Sequence, residues 1–103
     1  MIERADSIEL IDLRTLVPLD IDTVINSVKK TGKLLIAHEA AGNCGFGAEI
    51  AARVCEKAFA YLDAPVARVT GKDAPVPYCK LLEDEILPQT KDLEDAIRKL
   101  ISF

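Results

Sequence analysis

From Lys33 to Phe59 the chain reads as an apolar strand ending in His38-Glu39, a loop from Ala40 to Gly47 that holds three glycines, and a helical pattern from Ala48 onward. No other stretch constrains the fold as much. Leu34 to Ala37 is a short continuous apolar run, expected of a strand covered on both faces in an α/β layer structure rather than one half exposed to water. The polar pair His38-Glu39 closes that run. Gly42, Gly45 and Gly47 then predict a turn in which the backbone takes positive φ, and the helix beyond presents unpaired N–H groups in its first turn. A strand feeding a helix N-terminus is where open α/β sheets place ligands or interfaces.

The flanking segments fit an alternation of strands and helices. Ser7 to Leu13 alternates apolar and polar, which predicts a strand. Pro18 forbids a continuing ladder, and Asp20 is a good cap for a helix whose stripe is Ile21, Val24, Ile25 and Val28 and whose end is Gly32. On the second helix, Ile50, Ala51, Val54, Cys55 and Ala58 form a broad apolar stripe, which predicts that Cys55 lies in the core. Val66 to Thr70 predicts a further strand. Gly71 to Tyr78, with Pro75 and Pro77, predicts a surface loop. Leu81 to Leu87 fits no single pattern. Thr90 can cap a last helix with the stripe Leu93, Ala96, Ile97, Leu100 and Ile101. The order implies one α/β domain over residues 1–103, a three-layer α/β/α arrangement around a mostly parallel sheet of three strands. Such a sheet is thin for this architecture.

Composition excludes several function classes. Thirteen basic and seventeen acidic residues leave a net charge of -4, and they are scattered, so no basic stripe offers itself to nucleic acid or anionic lipid. No apolar run approaches the roughly 20 residues that span a bilayer. Cys44, Cys55 and Cys79 are odd in number and lack Cys-x-x-Cys spacing, which suits a reducing compartment and suggests neither a disulfide framework nor a zinc knuckle. One histidine completes no metal-ligand set.

Four features could carry chemistry. The helix start at Gly45-Phe46-Gly47 could hold an anion, but it has neither the dinucleotide spacing nor the Lys-Ser/Thr ending of a phosphate loop, and close helix–sheet packing is the favoured reading. Cys44, near a helix N-terminus with His38 upstream, could form a thiol nucleophile and its base, although no orienting third group is evident. His38 and Glu39, at the carboxyl end of the strand, more simply order the loop, with Glu39 accepting from glycine-turn amides or pairing with Arg14 or Arg68. Glu83-Asp84-Glu85, with Asp63, Asp73 and the carboxylate of Phe103, could meet a basic partner or be solvated surface. These residues amount to no complete active site.

Ile11 to Asp20, Ser27 to Thr31, His38-Glu39-Ala40, Gly45 to Ala51, Ala64 to Val69 and Pro75 to Tyr78, in this order and spacing, resemble the carboxyl-terminal domain of the beta subunits of thiamin-diphosphate-dependent 2-oxo acid dehydrogenases. Transketolase carboxyl-terminal domains share the pattern more loosely. Tyr78 to Asp84 and Leu87-Pro88-Gln89 look more like the pyruvate than the branched-chain type. The resemblance implies a parent enzyme that oxidatively decarboxylates a 2-oxo acid and acylates a lipoyl group, with thiamin diphosphate and magnesium held by other domains and no catalytic residue supplied by this one. It implies packing against an alpha subunit and a second beta subunit, and docking of the acyltransferase's subunit-binding domain, with Phe103 as first candidate and Asp63 and Asp73 behind it. A bacterial cytoplasm or a mitochondrial matrix fits. In that family a further strand and helix precede the stretch matching Ile8 to Leu13, and the strand lies beside the one at Leu34. The expectation is therefore a fragment or truncated product lacking this first unit, whose sheet compensates by re-pairing or by self-association.

Overall fold

The computed structural model describes residues 8–103. Helix α1 spans Ile21–Thr31, and its start is fixed by Asp20, whose carboxylate accepts from the Thr23 amide at 3.2 Å and the Thr23 hydroxyl at 2.6 Å. Those two bonds, the hydroxyl first, hold the Asp20 carboxyl below its ordinary 3.8. At the other end Gly32 turns left-handed, φ 80°, and its amide returns to the Val28 carbonyl at 2.8 Å. This is the glycine stop expected of the helix. A side chain here would also collide with the Asp63 carboxylate.

Strand β1, Leu35–Ala41, pairs in parallel with β2, Ala67–Gly71. Leu35, Ile36 and Ala37 face Ala67, Arg68 and Val69 in regular register, but the next pair is Ala41 with Gly71, so β1 advances four residues while β2 advances two. The irregularity falls on His38-Glu39-Ala40. Between the strands run α2, Phe46–Ala58, and a 3-10 turn, Phe59–Tyr61. After β2 come the short α3, Lys80–Ile86, and α4, Thr90–Ile101, which opens on a capping box between Gln89 and Asp92. The Lys72 amide donates to the Ile86 carbonyl at 2.9 Å and ties the end of α3 to the end of β2.

Three layers result. On one face of the sheet, Ile36 joins Val24, Ile25 and Val28 of α1 and Ile50, Val54 and Ala58 of α2 in one buried cluster. Val28 and Val54 are fully enclosed. On the other face, Leu35 and Ala37 look toward Leu93, Ile97 and Leu100 of α4 across a cleft of about 330 Å³. The first face is therefore closed and the second only partly so. A radius of gyration of 14.2 Å, against about 13 Å for a closed domain of this length, agrees.

Several sequence expectations need correction. The described part of Ser7–Leu13 is not a strand, and among the described residues the sheet has two strands rather than three; Ser7 itself lies outside them. Alternation signals an extended, half-buried segment, and Ile8, Ile11 and Leu13 are half-buried while Glu9, Leu10 and Asp12 are exposed. A ladder further requires a neighbour at hydrogen-bonding distance, and here Ile8 to Ile11 line the cleft opposite Leu34, Leu35 and Ala37. Glu9 anchors the segment to α1 through Lys30 at 2.6 Å, and this pairing, followed by the Ser27 hydroxyl, lowers the Glu9 carboxyl. Cys55 is exposed rather than in the core, because α2 buries Ile50, Val54 and Ala58 and turns Cys55 toward an open hollow lined by Phe59, Leu62 and Val66. The second helix starts at Phe46, β1 continues through the polar pair to Ala41, Gln89 rather than Thr90 caps α4, and the undecided Leu81–Leu87 stretch is largely α3.

Val54→Ala is expected to lower unfolding free energy by about 2 kcal/mol in urea titrations. Because the Asp20 carboxyl is lowered in the folded state, its contribution is present above the unfolded value and lost as pH falls through the folded one. Asp20→Asn, which can still cap, should flatten that acid limb of thermal stability, whereas Asp20→Ala should lower the midpoint at neutral pH.

Candidate functional site

The loop from Gly42 to Gly45, between the carboxyl end of β1 and the first turn of α2, is held by polar side chains from several elements. His38 is half-buried beneath it. Its Nδ1 lies 3.0 Å from the Ala40 carbonyl oxygen, and its Nε2 accepts the Gly47 amide at 3.2 Å. The imidazole thus caps the second residue of α2 from the neighbouring strand, a task that Gly45, the local cap residue, has no side chain to perform. The Arg68 guanidinium donates to the Gly42 carbonyl at 2.9 Å, and the Asp73 carboxylate accepts the Asn43 amide at 3.0 Å. Residues from β1, β2 and the following loop therefore hold one short turn from three sides.

The glycines are required here for closeness rather than for handedness. Gly45 has φ -74°, and the left-handed residue of the turn is Cys44, φ 59°. A Cβ on Gly47 would lie 2.6 Å from His38 Nε2, 2.8 Å from its Cδ2 and 3.1 Å from the Ile36 Cγ2. Only a glycine lets α2 approach β1 this far. The turn does take positive φ, as its glycines suggested, but at Cys44 and not at Gly42, Gly45 or Gly47.

This geometry bears on each candidate chemistry. At Gly45-Phe46-Gly47 the Gly47 amide already serves His38, the Gly45 amide reaches the Gly42 carbonyl and the Ala48 amide the Gly45 carbonyl. Asp73 already supplies a carboxylate to the adjacent Asn43 amide. The thiol pair is not assembled, because both His38 ring nitrogens are engaged by backbone groups, and the exposed Cys44 Sγ reaches, among the described residues, the Asn43 Oδ1 at 3.8 Å. Glu39 is exposed, and Arg68 binds Gly42 rather than Glu39. Among the described residues no group of three or more His, Cys, Asp or Glu could hold a metal ion.

The proposed docking residues lie at different ends of the sheet. Asp63 precedes β2 and meets Lys33, just before β1, at 3.6 Å, while its amide donates to the Gly32 carbonyl. Asp73 follows β2 and meets the loop after β1. Parallel strands place these two sites a strand length apart, so one small partner site does not combine them. Phe103 is exposed beyond the end of α4, whose Leu100 and Ile101 line the same cleft as Lys33 and Leu34. Sequence reasoning missed the Arg68 and Asp73 contacts, which join residues 26 and 30 apart and carry no local signal. It also missed the exposed apolar side chains Val76 and Tyr78, in the loop before α3, and Leu81 and Leu82, on α3.

A family model described as the transketolase C-terminal domain matches residues 3–93, which include both strands, α1, α2 and α3. The chain belongs to the transketolase C-terminal domain family. Among curated relatives, the pyruvate dehydrogenase E1 component subunit beta of Rickettsia bellii is 54% identical over 92 residues, 89% of this chain and 28% of the relative. The mitochondrial subunit of the same name from Bos taurus is 50% identical over 92% of this chain and 27% of its own length. The mitochondrial 2-oxoisovalerate dehydrogenase subunit beta 2 of Arabidopsis thaliana is likewise 50% identical, over 94% of this chain and 26% of the relative. This transketolase C-terminal domain thus spans roughly a quarter of the length of these relatives. It is similar to pyruvate-type and branched-chain-type subunits to nearly equal degrees.

Gly47→Ala should destabilise this transketolase C-terminal domain by about 1–3 kcal/mol, because helix and strand must separate to admit the methyl group. In a His38→Ala background the added loss should shrink, a coupling that a double-mutant cycle by urea unfolding would measure.

Proposed function

We propose that this chain is the assembly and docking part of a 2-oxo acid dehydrogenase beta subunit, of the pyruvate type. The observation that carries the reading is identity near one half over nine-tenths of the chain to beta subunits of such enzymes. The surface supports it. Phe59, Tyr61, Val76, Tyr78, Leu81 and Leu82 are large apolar side chains held in the open, the residue types that partner interfaces bury. In this reading the partners are the alpha subunit, a second beta subunit and the subunit-binding domain of the acyltransferase, and copies of the isolated chain self-associate through the same surfaces.

The loop at Gly42–Gly45 has a structural task in this reading. Its Gly42 carbonyl and Asn43 amide are held by Arg68 and Asp73, and His38 binds the Ala40 carbonyl and Gly47 amide that flank it, so the reading assigns it no step of the reaction. Thiamin diphosphate and magnesium belong to the parent enzyme and are assigned to its other domains. The described residues offer no metal-ligating cluster and no helix long and apolar enough to cross a membrane. The relatives are bacterial and mitochondrial proteins, and the domain is assigned with them to a bacterial cytoplasm or mitochondrial matrix. Pyruvate rather than a branched-chain substrate is favoured by Tyr78 to Asp84 and Leu87-Pro88-Gln89.

Calorimetric titration of the chain with the subunit-binding domain of a pyruvate-type acyltransferase tests the docking role. Saturable binding, weakened at higher salt and lost when Phe103 is deleted, is expected. Absence of binding by a sample with cooperative thermal unfolding would overturn docking by this domain alone. Binding that survives deletion of Phe103 but not Asp63→Lys would move the contact to the Asp63 end.

A further inference from the structure

We propose that His38 is held as its Nδ1–H tautomer and forms a proton-sensitive clasp between β1 and α2, released when the ring takes up a second proton. The two backbone partners fix the assignment. A carbonyl oxygen can only accept, so the nitrogen 3.0 Å from the Ala40 oxygen carries the hydrogen. An amide can only donate, so the nitrogen 3.2 Å from the Gly47 nitrogen presents its lone pair. The neutral ring in one tautomer satisfies both, and neither the opposite tautomer nor the imidazolium can.

A doubly protonated ring would point an N–H at the Gly47 N–H. The ring lies close against the backbone at Gly45 and Gly47, where an added Cβ would fall 2.9 Å from its Cε1 and 2.6 Å from its Nε2. Nearby charged groups do not replace the lost acceptor. Glu39, next on β1, is exposed, and Glu49 on α2 is paired with Arg53 at 2.7 Å. Arg68 of β2 is positive and occupied with the Gly42 carbonyl, while Asp73, from the loop after β2, is bound to the Asn43 amide. Cys44, the remaining titratable residue of the turn, contacts Asn43. Protonation therefore leaves the second amide of α2 without an acceptor and adds a positive charge at the positive end of the helix dipole. The first turn of α2 and the Gly42–Gly45 loop should loosen together, while the cluster around Val28 and Val54 persists. The clasp belongs to the domain itself and does not rest on the docking role.

Two measurements on the full chain test the clasp. Nitrogen-15 NMR of the imidazole at about pH 8 should show Nδ1 protonated and Nε2 bare; the opposite tautomer overturns the proposal. Hydrogen exchange, corrected for intrinsic rates, should then be compared at about pH 8 and about pH 5, the range in which a histidine changes charge. Protection of residues 44–54 should fall about tenfold as the ring is seen to protonate, the loss of one hydrogen bond, while α4 is unchanged. His38→Gln, which keeps an acceptor oxygen and cannot titrate, should hold its protection at both values. Unchanged protection around a doubly protonated ring, an equal loss in α4, or an equal loss in His38→Gln overturns it. Should the variant fail to fold, the wild-type comparison of 44–54 with α4 decides alone.

Discussion

The close approach of α2 to β1 at Gly47 is the contact on which the rest of this domain depends. With no side chain at Gly47, the helix can settle against the Ile36 side chain and the His38 ring, and only from that distance can the ring reach the Gly47 amide. Settling there also drives Ile50 and Val54 into the cluster with Val28 of α1. The pairing of β1 becomes irregular over the same residues, His38–Ala40, where the imidazole binds a carbonyl two residues ahead. Packing, register and capping are thus one arrangement seen from three elements. Changing any one of them disturbs the others.

The energetic weight of the structure lies on one side. Burial of Val24, Ile25, Val28, Ile36, Ile50, Val54 and Ala58 supplies an apolar contribution of roughly 1.5–3 kcal/mol for each large side chain, before the opposing loss of chain entropy. The surface ion pairs are exposed and contribute little by comparison. On the α4 side, Leu100 is buried while Ile101 beside it is open, and the cleft between Ile8–Ile11 and β1 keeps that face from closing. The described residues thus have one closed face, one partly open face and several exposed large apolar side chains.

The loop that a first reading would select for chemistry is occupied by the protein's own groups. Helix starts attract anions because their amides lack partners, and here His38 and Asp73 supply partners from elsewhere in the chain. Cys44 gains no base, since the only histidine is committed at both nitrogens. The fold has used its polar side chains to join secondary structure, which leaves the open surfaces to carry the interactions through which this family member is proposed to act.

Local signals decided what the sequence could determine. The stripe of α1, its Asp20 start and its Gly32 stop are each written in neighbouring residues, because helix periodicity and capping act over three or four positions. The alternation of strands and helices, and hence the α/β class and the parallel pairing, follow from element order. The family resemblance was legible for the same reason, in short motifs at fixed spacing. Contacts between residues distant in sequence were decided by the tertiary structure. Among the described residues, Ile8–Leu13 has the alternation of a strand but no neighbour with which to pair, Cys55 has a core stripe's spacing but no layer above it, and His38 meets Gly47 only because α2 lies down on β1. Periodicity says which face of an element is apolar. Only the packed chain says whether anything covers it.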